Sequence, residues 1–218
     1  MAERLLILDF DGTLCLGDGP VRAFAREVAS AVGAPEGDLL HPLDRFLLGE
    51  PSTEFDGCAD AYTAVAMWAH ERGLERDGMT AAFLRGRAEL DAGRIDITTP
   101  EGVIDRLGWK TDWHRVLVTN SPLASTITLT KRLGLHPVLD AIIGDAAKPL
   151  GLEALLAAGG ELDARRWQRI VSIGDIWVND LAPVQAVGGD TGLIERHSQP
   201  QATPTWRADS VLELLDQT

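Results

Sequence analysis

Four short apolar runs, each stopped by polar or turn-forming residues, constrain this chain more than any other feature. They are Leu5-Leu6-Ile7-Leu8 before Asp9, Val116-Leu117-Val118 before Thr119, Ala141-Ile142-Ile143 before Gly144-Asp145, and Ile170-Val171-Ser172-Ile173 before Gly174-Asp175. Runs this short and this apolar read as strands buried on both faces, the kind that build parallel sheets. Thr191-Gly192-Leu193-Ile194 reads as a fifth strand. Helical patterns fill the intervals: 101–107, a helix opened by Pro122 and running to 133, 148–158, 178–187, and a C-terminal stretch 208–215. Strands alternating with helices of this length predict an α/β fold with a doubly wound, mainly parallel, Rossmann-like sheet.

The first run stands apart from the rest. From residue 14 to about 98 no strand pattern recurs. Pro20 suits the first position of a helix to about 31, with Gly33 as its stop. Tyr62, Val65, Ala66 and Ala69 repeat at helical spacing ahead of Gly73, and Thr80 is placed to cap a helix through about 92. Pro35, Pro42, Pro51, Gly57 and Gly78 read as turns between helices. The expected division is a core of residues 1–16 and 97–218 with a helical cap, 17–96, inserted in it. Within the insert, Trp68, His70, Arg45 and Arg72 are candidates to face a substrate, but Trp68 reads better as part of an apolar helix face and Arg45, His70 and Arg72 as surface residues.

The chain has 218 residues, 45% of them hydrophobic and 24% charged, enough for one sizeable domain with an insert or for two small domains. A net charge of −13 argues against nucleic acid as a partner, because phosphate-backbone binding wants clustered cations. No apolar stretch is long enough to span a membrane and no signal-peptide layout opens the chain, so no membrane partner and a cytoplasmic location are expected. Cys15 and Cys58 give neither a disulfide framework nor metal-ligand spacing. The cations are 17 Arg and only three Lys, at 110, 131 and 148, which makes a lysine next to a strand end conspicuous.

In a parallel sheet the strand ends share one edge. Asp9 and Asp11, Thr119, Lys148, and Asp175 with Asn179 and Asp180 are therefore expected to converge on one pocket. Several carboxylates in one pocket repel each other unless a cation neutralises them. Oxygen-only ligands select a hard ion, Mg²⁺ first, commonly shared with substrate phosphate. A hydroxyl, an ammonium and the backbone N–H groups where the Pro122 helix begins add donors for an oxyanion. The set fits phosphoryl transfer.

In these residues the chain resembles the haloacid dehalogenase superfamily of phosphatases. Asp9-Phe10-Asp11-Gly12-Thr13 resembles its first motif, Leu117-Val118-Thr119-Asn120 its second, Lys148 its third, and residues 173–180, IGDIWVND, its fourth. The resemblance implies Asp9 as the nucleophile that takes the phosphoryl group, and Asp11 as the acid and then base. It implies Thr119, Asn120 and Lys148 as phosphate-binding residues, Thr119 and Lys148 also in the catalytic set, and Asp9, Asp11 through its backbone carbonyl, Asp175 directly, and Asp180 as a second ligand or a partner behind the ligands, as the Mg²⁺ set, with Asn179 in support. An acid at Asp11 serves an alkoxide leaving group, which a departing halide does not need, so the expected reaction is hydrolysis of a small phosphorylated metabolite by a monomer or homodimer. A phosphomutase acting on a sugar phosphate and a non-catalytic binding protein of the same fold are the alternatives. Where many members of this family carry a branched residue and an Asp-Ser pair after the first motif, residues 15–20 read Cys-Leu-Gly-Asp-Gly-Pro. Arg22 beyond that loop reads as a surface residue or a contact for a second anionic group.

Overall fold

A computed structural model describes residues 3–50 and 54–218. Its centre is β1, Arg4–Leu8, in which Leu5, Leu6, Ile7 and Leu8 are each no more than 2% exposed. A strand with no polar alternation must be covered on both faces. Parallel pairing to β2, Trp113–Val118, on one side and to β4, Arg169–Gly174, on the other provides the frame. With β3, Ala141–Ile143, β5, Asp190–Ile194, and β6, Trp206–Ala208, the all-parallel order is β3-β2-β1-β4-β5-β6. The order reverses between β1 and β4, which is where a crevice opens at the carboxyl ends of such sheets.

Helices cover both faces of the sheet. Leu5, Ile7, Val116, Val118 and Ile170 pack with Leu152 and Leu156 of α7, Leu150–Ala157, and Val184 of α8, Ala182–Ala186. On the opposite face Leu214 of α9, Val211–Leu215, lies over Gly192 of β5. The remaining core helices are α5, Val103–Trp109, and α6, Leu123–Arg132.

The chain divides into two compact units, residues 1–16, 98–195 and 199–218, and residues 17–97 with 196–198. Where the chain leaves and re-enters the first unit, Leu16 and Thr98 exchange two backbone hydrogen bonds of 2.8 and 3.0 Å. The second unit is built on α1, Gly19–Val32, α2, Glu36–Leu47, α3, Ala61–Glu71, and α4, Arg76–Asp91. Phe24, Val28, Leu43, Phe46, Val65 and Trp68 form its apolar centre. No helix among the described residues is long and apolar enough to cross a membrane.

Several local expectations give way to tertiary structure. Thr80 lies inside α4 and its hydroxyl donates to the Arg76 carbonyl at 3.0 Å, the back-bonding of a mid-helix threonine rather than a cap. Pro42 sits in the interior of α2 and Gly78 in the first turn of α4, so neither marks a turn between helices; Pro51 falls outside the described residues. The expected helix 178–187 is split. Trp177–Leu181 winds as a wider π-type turn, in which the Ala182 N–H reaches back to the Trp177 carbonyl, before α8 starts at Ala182. Pro183, with no N–H and a ring that crowds the carbonyl four residues earlier, accounts for the break. Residue 208 belongs to the sixth strand rather than to the last helix, which Ser210 precedes as N-cap.

Candidate active site

Each central strand delivers a different group to the carboxyl edge. Leu8 is in register with Leu117 and with Ile173, so the residues after them emerge side by side. The Asp9 N–H donates to the Ile173 carbonyl at 3.0 Å and the Thr119 N–H to the Ile143 carbonyl at 2.9 Å. These bonds extend the ladder one step past the strands and anchor both residues by their backbones.

Lys148 joins three of the strand ends. Its Nζ donates to Asp9 Oδ1 at 2.7 Å, to Asp180 Oδ1 at 2.5 Å and to the Val118 carbonyl at 2.9 Å, which uses all three ammonium protons. The side chains of Lys148, Asp9 and Asp180 are 4%, 9% and 3% exposed. Burial works against a charge on Lys148, but the Asp180 and Asp9 carboxylates outweigh it and hold the lysine above its ordinary pKa. Burial pushes the Asp9 carboxyl up, to about 7, with the Lys148 charge pulling against it and the Asp180 and Asp11 charges adding to it. One ammonium thus faces more negative charge than it can balance.

Asn120 holds the lysine in place. The Lys148 N–H donates to Asn120 Oδ1 at 2.6 Å and Asn120 Nδ2 donates to the Lys148 carbonyl at 3.3 Å, so the amide pairs with both backbone groups of one residue. One of its two amide N–H donors and its oxygen are engaged with the Lys148 backbone. The Asp145 N–H donates to the Ser121 carbonyl at 2.9 Å and the Ala146 N–H to the Thr119 carbonyl at 3.0 Å, zipping the Lys148 loop to the loop after β2. Ser121 also donates from Oγ to Asp11 Oδ2 at 2.6 Å and from its N–H to Thr119 Oγ1 at 3.1 Å.

The loop after β4 is equally constrained. Asp180 Oδ2 accepts the Ile176 N–H at 2.9 Å, and its carbonyl accepts the Ser172 hydroxyl at 2.7 Å. Asn179 lies in the same π-type turn. Asp9, Asp175 and Asp180 each present an oxygen, and the three atoms lie within 4.8 Å of one another. A hard divalent cation fits this donor set, which holds carboxylate oxygen and no nitrogen or sulfur. The Asp11 carboxylate, which the resemblance implies for proton transfer rather than for the metal, rests on Ser121. Of the residues singled out in sequence, Asp9, Lys148, Asp175 and Asp180 are brought together directly, with Asp11, Thr119 and Asn120 tied in through Ser121 and the Lys148 backbone.

The other polar candidates are satisfied locally. Trp68 is 3% exposed in the helical unit's own core, with the Arg72 guanidinium 3.7 Å from its ring centroid. Arg45 pairs with Glu50 at 3.1 Å and Arg22 with Asp44 at 2.6 Å, while His70 is exposed and Cys15 buried. Sequence reasoning passed over Ser121, Ser172 and Gln199. Ser121 directly follows the second motif, and that position is its one sequence signal; Gln199 carries no local signal.

No protein-family model and no curated protein matches the sequence. Solved structures do. The haloacid dehalogenase-like hydrolase SP0104 from Streptococcus pneumoniae superposes with a TM-score of 0.66 at 18% identity, over 98% of this chain and 97% of its own. YfnB from Bacillus subtilis, assigned to the HAD hydrolases and bound to magnesium, gives 0.62 at 20%, over 100% and 99%. A predicted phosphoglycolate phosphatase from Haemophilus somnus gives 0.63 at 18%, over 98% and 96%. Proteins described as phosphatases and as dehalogenases both occur among the matches. Identities this low speak for architecture. Over essentially its whole length, the chain has the fold of the haloacid dehalogenase superfamily.

Proposed function

We propose that the protein is a Mg²⁺-dependent phosphatase that hydrolyses a small-molecule phosphate monoester through an aspartyl-phosphate. The observation that carries this reading is the buried bridge from Lys148 to both Asp9 and Asp180, with an Asp175 oxygen within 4.8 Å of the oxygens those two present. Asp9 attacks phosphorus, forming an acyl-phosphate bond as the ester P–O bond breaks. Asp11, steadied at Oδ2 by Ser121, gives its proton to the departing alkoxide. It then takes a proton from the water that attacks the same phosphorus, releasing phosphate and restoring Asp9. Lys148 orients the Asp9 carboxylate and exchanges one of its bonds for a phosphoryl oxygen as substrate enters, with Thr119 supplying a hydroxyl beside it. Bound at Asp9, Asp175, Asp180 and the Asp11 backbone carbonyl, Mg²⁺ would supply Lewis-acid neutralisation of the phosphoryl charge. The acid held at Asp11 favours an ester over a halide as the leaving partner. The test is hydrolysis of an aryl phosphate with Mg²⁺: Asp9→Asn is expected to abolish turnover, and undiminished activity in that variant would refute the mechanism.

A further inference from the structure

Gln199 follows β5 in a polar, proline-bearing stretch, yet it is only 9% exposed. Its Nε2 donates to the Asp175 carbonyl at 2.7 Å and its Oε1 accepts the Trp177 N–H at 2.8 Å. The Trp177 N–H opens the π-type turn and has no partner within it, as at any helix start. One side-chain amide therefore pairs with two backbone groups flanking Ile176, doing for the loop what a neighbouring strand does for a strand. Gln199 is fixed in turn. Its own N–H donates to Glu195 Oε1 at 3.0 Å, its carbonyl accepts the Ala202 N–H at 2.9 Å, and Glu195 pairs with Arg207 just outside β5 and in β6.

We propose that Gln199 is a positioning residue for Asp175: it sets the backbone from which that carboxylate reaches a divalent cation, and so tunes metal affinity from the far side of the loop. This rests on the reading of Asp175 as a metal ligand. Groups that orient ligands without touching the metal change affinity by about 10- to 100-fold when lost, and Gln199 acts on the ligand's own peptide. A role confined to packing would instead lower stability and leave affinity unchanged.

The experiment is calorimetric titration of Mg²⁺ into the full-length chain as wild type, Gln199→Met and Gln199→Glu, with amide hydrogen exchange at 175–181 and thermal midpoints alongside. Gln199→Met keeps the length and loses both bonds; Gln199→Glu still accepts from Trp177 but cannot donate to Asp175 when ionised. The expected result is Mg²⁺ affinity weakened roughly 10-fold or more in Gln199→Met, a smaller loss in Gln199→Glu, and faster exchange at Trp177 in Gln199→Met alone. Wild-type affinity in both folded variants would overturn the clamp while leaving the metal site standing. A wild-type chain that binds no Mg²⁺ would overturn the metal reading and the clamp together. Should Gln199→Met fail to fold, Gln199→Glu decides the question: unchanged affinity refutes the clamp and weakened affinity supports it.

Discussion

Gly12 shows how tightly a single residue shapes this site. Its φ is +89°, and a Cβ built there would lie 2.1 Å from Asp175 Oδ2. The turn after Asp11 thus needs a residue that tolerates the left-handed region and leaves room for a carboxylate. Gly12→Ala is expected to cost about 1–3 kcal/mol of stability from backbone strain alone. It should also displace Asp175 and lower aryl phosphate hydrolysis by a larger factor than a surface Gly→Ala exchange does; wild-type stability and rate together would contradict this. At this scale legibility follows chemistry. Asp9, Asp11, Lys148 and Asp175 are recognisable because few roles suit a charge beside a buried strand end. Ser121 and Gln199 act through ordinary hydrogen bonds to a carboxylate and to peptide groups, and no composition or spacing distinguishes such a residue from a loop filler. Asn120 lay between: its place in the motif was readable, but not that its amide serves the Lys148 backbone.

Among the elements, the strands were legible and the helices less so. A strand buried on both faces announces itself by composition, and 141–143 emerges with the expected bounds. The sixth strand, Trp206–Ala208, carries a half-buried pattern with Arg207 exposed, and three residues give no periodicity to read. In the helical unit the local signals of Pro42, Gly78 and Thr80 yield to packing. Gly86 of α4 shows what packing requires there, since a Cβ on it would come 3.0 Å from the Phe24 backbone nitrogen and 3.2 Å from the Ala23 carbonyl carbon in α1. The two helices approach nearly backbone to backbone. Gly86→Leu must push them apart, and overpacking of this kind costs about 1–3 kcal/mol. Denaturant unfolding is expected to show a lower midpoint for Gly86→Leu, whereas an exposed site such as Leu84→Ala in the same helix should shift it far less; equal shifts would mean that α1 and α4 do not meet there.

For the whole molecule the decisive quantity is charge. The chain carries a net −13, and at the carboxyl edge Asp9, Asp175 and Asp180 converge with Lys148 as the buried cation bonded to two of them. Folding assembles this repulsion, so a cation that binds the assembled site and not the unfolded chain must stabilise the fold by mass action. At a free concentration of 100 times its dissociation constant, Mg²⁺ would add about 2.7 kcal/mol. For a chain of this size each kcal/mol moves the thermal midpoint by about 2–4 °C, so saturating Mg²⁺ is expected to raise it by roughly 5–10 °C over the same protein in chelator. Sodium chloride at matched ionic strength screens the general −13 without filling the site and should give a smaller rise. Asp175→Asn removes one ligand and one unit of the repulsion at once. That variant should therefore be at least as stable as wild type in chelator and lose most of the Mg²⁺ increment, a crossing of the two curves that general screening does not produce. Parallel increments in both proteins would place the ion's effect elsewhere on the acidic surface and remove Asp175 from the metal site.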